Sequence, residues 1–228
     1  MKSYLLGFIG LCISFILLYI LFRSFPKKDE KPTRRKIIIW SIIGTLTIIT
    51  YFSIGLFFYK PETEKIDLIS TIIFSLGLTP LLEEIVYRRI ILQYFINLKK
   101  RKIFKIDFII PLIIGFAFIL PNFIYYYLMH IGTFSIKEEG LVFLLAFLPL
   151  ISIATLRLKF SKLNGYIMLG VIIISQAFLF TLSHGDYASK IHIITGLVYG
   201  ILYLQTESII PPLIAHYLWN TLIFVNNL

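Results

Sequence analysis

Two glutamates and an arginine, Glu83, Glu84 and Arg88, interrupt an apolar stretch that runs from Ile66 to Leu98. A carboxylate or guanidinium at the centre of a membrane helix costs roughly 2.5–3.5 kcal/mol on insertion scales. Three such groups together rival the net stability of an ordinary domain, about 5–15 kcal/mol. A fold that carries them must bury this helix and give its charges partners or water. The segment is therefore expected to be a buried, water-accessible reactive site.

The rest of the chain supplies the setting. With 58% hydrophobic and 15% charged residues and a mean hydropathy of +0.87, it is expected to be an integral membrane protein. Its 228 residues suit one compact bundle. Apolar runs fall at 4–22, 37–59, 66–98, 107–131, 141–156, 165–184, 191–205 and 209–225. This spacing predicts an all-α, polytopic transmembrane helix bundle of about eight spans. The first run is too long for a signal peptide and no small-residue cleavage site follows it, so it is expected to be retained. No alternating pattern marks a β-barrel. Cys12, the single cysteine, sits in the first run and excludes a disulfide framework or a thiolate metal cluster.

A net charge of +10 would suggest nucleic acid in a soluble protein. Here the cations cluster in loops between apolar runs, at 23–36, 99–105 and 157–162, which argues against a nucleic-acid partner. Fifteen lysines and arginines lie on that side against five on the other (Lys2, Lys60, Lys65, Lys137, Lys190). The positive-inside rule places the basic loops in the cytoplasm and both termini outside, in a multi-pass membrane protein expected in a bacterial plasma membrane.

Glu84 and Arg88 are four apart, so they share a helix face in the favourable order for an ion pair. Glu83 is turned about 100° away and is left to face substrate or water as a general acid or base. The competing interpretation is a paired charge cluster that only locks helices together. Two later segments bear on that choice: Phe180-Thr181-Leu182-Ser183-His184, and His216-Tyr217-Leu218-Trp219-Asn220 with its His and Asn one turn apart. An imidazole can hold a metal or polarise water, and an Asn amide can donate to an oxyanion. Each His taken singly is as well explained as a helix-bridging residue. Together with the glutamates and Arg88 they form a hydrolytic set expected to converge on one cavity. His130 and His192 have no comparable neighbours and are read as interfacial or bridging.

These residues carry a resemblance. The chain resembles the CPBP family of intramembrane proteases, which groups type II CAAX prenyl endopeptidases with bacteriocin-processing and immunity (Abi) proteins. The family's Glu-Glu-x-x-x-Arg, Phe-x-x-x-His and His-x-x-x-Asn motifs stand here in order as Glu83/Glu84/Arg88, Phe180/His184 and His216/Asn220. The Gly196–Gly200 stretch and the turn at Gln205–Ser208 are also similar, with Glu207 where the family usually has Gly. The likeness covers roughly 67–226, which divides the chain into a two-span segment, 1–66, and a protease-like core, 67–228.

The resemblance implies an intramembrane endopeptidase acting on a peptide or membrane-associated protein. Glu83 would activate water, and Glu84 and Arg88 would hold and tune that helix. His184 would help bind the water or a metal, and His216 with Asn220 would stabilise the tetrahedral oxyanion. A catalytic divalent metal such as zinc is left open, with Glu83, His184 and His216 as its candidate ligands. No His-Glu-x-x-His occurs, which removes site-2-type zinc chemistry, and the lack of Gly-x-Ser-Gly disfavours a rhomboid mechanism. Two alternatives stay open: a non-catalytic self-immunity or scaffold protein, and a proton-coupled transporter.

Overall fold

Among the described residues the apolar runs become helices. In the computed structural model, which describes residues 33–56, 76–129, 136–159, 164–184 and 190–226, every regular element is helical. The seven continuous helices among the described residues follow the second to eighth apolar runs. The helix α1 is Arg34–Leu56, and α2 runs through Thr79–Glu84, Ile85–Leu92 and Gln93–Lys100 without a break. Then come α3, Ile106–Met129, α4, Ile136–Lys159, and α5, Asn164–Leu182. The chain closes with α6, Lys190–Thr206, and α7, Ile210–Asn226. The first apolar run with Cys12, and also His130, lie outside the described residues.

Three of these helices contain stretches long and apolar enough to cross a membrane: Arg34–Ser53, Glu139–Arg157 and Gly165–Leu182. Their surfaces carry exposed Ile38, Ile42, Leu46, Leu144, Ile151, Ile167 and Ile174, as lipid-facing sides require. In contrast α2 is closed in, with Val86, Tyr87, Ile90, Ile91, Leu92, Tyr94, Phe95 and Ile96 all buried. Burial on every side marks an interior helix.

The described residues form two compact units. One contains α1, α2 as far as Arg89, α6 and α7. Here α7 packs on α1, on α6 and on the first part of α2, while α1 packs on α6. Gly44 lets α1 approach α6, since a Cβ there would stand 2.6 Å from Leu202 Cδ1. Trp219 stacks on Tyr51 at 5.6 Å and meets Phe52 edge-on at 5.8 Å.

The turn from α6 to α7 sets the register of the last helix. Thr206 ends α6, and its hydroxyl accepts the Ser208 N–H at 3.3 Å. Glu207 has φ 47°, a left-handed conformation that an L residue adopts at a cost. Ser208 Oγ then accepts the Ile210 N–H at 3.3 Å as a cap. Pro211 and Pro212 occupy the first turn of α7, where no N–H is needed.

The other unit holds α2 from Ile90 onward with α3, α4 and α5. There α4 packs on α3 and α5, and the end of α2 lies against both α4 and α5. Gly115 admits the Phe143 ring, whose Cδ1 would stand 2.5 Å from a Cβ at that position. Leu92, Tyr94, Phe95, Leu98, Leu150 and Ile153 make the core of this unit.

Candidate active site

The part of α2 that bears the charges departs from α-helical geometry. Ile85–Leu92 is π-helical, with each N–H reaching back five residues. Such stretches are rare and concentrate at functional sites because they re-aim side chains. Immediately before it stand Glu83 and Glu84, and Arg88 lies within it.

Four ionisable side chains then form a continuous chain in the first unit. Arg88 Nε lies 3.2 Å from Glu84 Oε2, and both side chains are fully buried. Glu84 Oε1 lies 3.0 Å from His216 Nδ1. On the other side of the ring, His216 Nε2 lies 3.5 Å from Glu83 Oε2. A carboxylate accepts, so His216 donates through Nδ1–H to Glu84, and in the neutral ring Nε2 carries the lone pair facing Glu83. Glu83 Oε2 is buried against the imidazole, yet 20% of its side chain is exposed. Of the four, Glu83 is the group with an outlet to the surroundings.

The Glu84–Arg88 expectation is met. Glu83, expected to point away alone, instead shares His216 with Glu84. Rotation by one residue still allows this because the ring has a nitrogen on each edge, and α7 brings it between the two carboxylates.

Two tyrosines escaped the sequence reading. Tyr199 on α6 is fully buried and stacks on the His216 ring, centroids 4.8 Å apart. The Arg88 guanidinium also lies against it, 5.4 Å from the ring centroid. Tyr199 thus fixes both the cation and the imidazole. Tyr217 donates its hydroxyl to the Gly77 carbonyl at 2.8 Å and ties α7 to the approach of α2. Tyr199 lies in the small-residue stretch Gly196–Gly200, but nothing in the sequence marks either tyrosine as part of the site.

Asn220 is half-buried on α7, one turn beyond His216. His184 belongs to the second unit, in the turn that ends α5. Its Nδ1 donates to the Phe180 carbonyl at 2.8 Å, and its ring lies 4.7 Å from the Phe180 ring. This contact gives the Phe-x-x-x-His spacing a physical meaning. Phe180 fixes the tautomer through its carbonyl and the ring plane through its side chain, leaving Nε2 as the lone-pair nitrogen of the neutral imidazole. His192 on α6 is half-buried, and its carbonyl accepts from Thr195 Oγ1 at 3.2 Å.

The described residues do not compose a metal cage. No group of three or more His, Cys, Asp or Glu side chains among them is arranged to hold an ion. His216 has one nitrogen on each glutamate, so neither is turned towards a shared third ligand.

Comparison with known proteins bears on the same segments. Residues 153–222 match the family model described as type II CAAX prenyl endopeptidase Rce1-like. The match takes in Phe180/His184 and His216/Asn220, while the Glu83/Glu84/Arg88 segment lies before it. No curated protein and no solved structure matches the chain. Over this segment, about a third of its length, the chain is similar to the Rce1-like type II CAAX prenyl endopeptidases.

Proposed function

We propose that the chain is an intramembrane endopeptidase that hydrolyses a peptide bond of a peptide or membrane-associated protein, with Glu83 activating the water. The observation that carries this reading is the chain Arg88–Glu84–His216–Glu83, buried at three members and partly exposed at the fourth. A purely structural charge cluster has no need of a histidine held in one tautomer and aimed at a second carboxylate. A general base does.

The side chains divide the reaction as follows. The Glu83 carboxylate takes a proton from water while the water oxygen adds to the scissile carbonyl carbon. The protonated Glu83 can then donate to His216 Nε2, which closes from 3.5 Å to hydrogen-bonding distance by a small side-chain movement. Collapse of the tetrahedral intermediate breaks the C–N bond, and Glu83 returns its proton to the leaving amine. Asn220 donates its amide to the oxyanion, and the Phe-x-x-x-His resemblance assigns His184 to binding the water. Glu84 and Arg88 act through His216 and touch no reacting atom. This differs from the role that the family resemblance implies for His216, because the geometry turns its lone pair towards Glu83.

The same reading has eight helices crossing the bilayer of a bacterial plasma membrane, the basic loops in the cytoplasm, and residues 67–228 as the protease core. Its test is product identification. The purified protein is incubated with membrane-derived and prenylated peptides in ¹⁸O-water, and new termini are read by mass spectrometry. Hydrolysis places the label in the new carboxyl group. Intact peptides across the panel, with a folded enzyme, would turn the reading to a non-catalytic binding role.

A further inference from the structure

One end of the second unit is both strongly cationic and firmly held. It comprises the end of α2, the loop at 101–105, the start of α3, the end of α4 and the start of α5. Asp107, the only acidic residue between 90 and 137, is fully buried there. Its carboxylate accepts from Arg101 Nη1 at 2.9 Å and Nη2 at 2.7 Å, from the Phe104 N–H at 2.7 Å, and from the Tyr94 hydroxyl at 2.9 Å. Donating to the Asp107 carboxylate raises the Arg101 guanidinium above its ordinary pKa, so Arg101 stays charged. The Arg157 guanidinium on α4 donates to the Lys99 and Arg101 carbonyls. Lys99 Nζ reaches the Gly165 carbonyl at the start of α5, 3.2 Å away.

Three cations are thus spent on fixing the loop, and the single carboxylate is neutralised within it. What the loop displays is Lys100, Lys102 and Lys105, all exposed, with no acid beside them. Between them stand Phe104, 57% exposed, and Ile106, 58% exposed, and Tyr166 at the start of α5 is 78% exposed. Ammonium groups alternating with bare apolar side chains suit neither bulk water nor a hydrocarbon core. They suit the boundary, where lysines meet phosphates and rings lie among the upper acyl chains.

We propose that this end of the unit binds the headgroup phosphate of an anionic glycerophospholipid through Lys100, Lys102 and Lys105, with Phe104, Ile106 and Tyr166 against its chains. The scaffold of Asp107, Arg101 and Arg157 preorganises the three lysines, so little ordering entropy is lost on binding. The proposal is independent of the proteolytic reading.

The test uses the full chain in detergent, titrated with dioleoyl-phosphatidylglycerol or dioleoyl-phosphatidylcholine, with bound lipid read by native mass spectrometry and melting by scanning fluorimetry. Phosphatidylglycerol should be retained over phosphatidylcholine and should raise the melting temperature. Lys100→Gln/Lys102→Gln/Lys105→Gln should weaken that binding on the order of 100-fold, from about fivefold per lysine, with unchanged melting in phosphatidylcholine. Arg157→Gln should weaken binding more than Lys102→Gln, because it also releases the loop. Should the triple variant fail to fold, the salt dependence of wild-type binding decides: affinity for phosphatidylglycerol must fall steeply with added salt. Equal binding of the two lipids, a triple variant with wild-type affinity, or equal stabilisation by inorganic phosphate would each overturn the proposal.

Discussion

Replacing Arg88 with methionine is the perturbation that most directly separates charge from shape in this site. Methionine keeps much of the apolar bulk and removes the guanidinium from a fully buried pair. At the observed 3.2 Å, and an effective dielectric of about 20, the lost attraction is about 5 kcal/mol. Against this stands the desolvation that Arg88 no longer suffers, while Glu84 keeps its burial and loses its cation. Breaking one side of such a pair costs roughly 3–5 kcal/mol. Loss of the contact with Tyr199 adds about 0.5–2 kcal/mol. For a chain of this size each kcal/mol shifts the melting temperature by about 2–4 °C, so Arg88→Met should melt roughly 7–28 °C lower. Glu84→Gln/Arg88→Met should recover most of that loss, because Gln still accepts from His216 Nδ1 and no buried charge is stranded. The assay is melting of the four members of the cycle in one detergent. An Arg88→Met variant as stable as wild type, or a double variant as unstable as the two singles added together, would refute the assignment of Arg88 and Glu84 as a buried, mutually neutralising pair.

Other consequences can be measured separately. Asn220→Ala should lower turnover by roughly two to three orders of magnitude at unchanged melting temperature, as the loss of one oxyanion donor does; steady-state kinetics on any cleaved peptide reads this. Chelation with EDTA or phenanthroline should leave turnover unchanged, whereas loss restored by added zinc would require ligands beyond those described. Glu207→Gly should raise the melting temperature by about 1–4 °C, since glycine relieves a left-handed residue of about 1 kcal/mol of strain after its own entropy cost; a fall would show that the Glu207 side chain contributes more than its backbone costs.

Much of the architecture could be read from the chain because membrane helices are written in composition. The apolar runs at 107–131 and 165–184 became helices at Ile106–Met129 and Asn164–Leu182. The Glu84–Arg88 pair was legible for the same local reason, a spacing of four on one helix. What stayed hidden is tertiary or conformational. The contact between His216 and Glu84 spans 132 positions, and nothing near either residue encodes it. Tyr199 reads as an ordinary aromatic until α6 lays it against His216 and Arg88. The π-helical stretch at Ile85–Leu92 has no periodic signature that an α-helix lacks. Glu207 stands where the family turn usually has glycine, and its φ of 47° is the left-handed conformation that glycine favours.

The role of Glu83 as the base is tested most directly by one comparison. Wild-type protein and Glu83→Gln are purified in the same detergent, shown to melt together, and followed in single-turnover cleavage of the same peptide. Gln keeps the shape and the contact with His216 but cannot take a proton from water, so the rate should fall by roughly two to four orders of magnitude. Wild-type cleavage by folded Glu83→Gln would contradict the account.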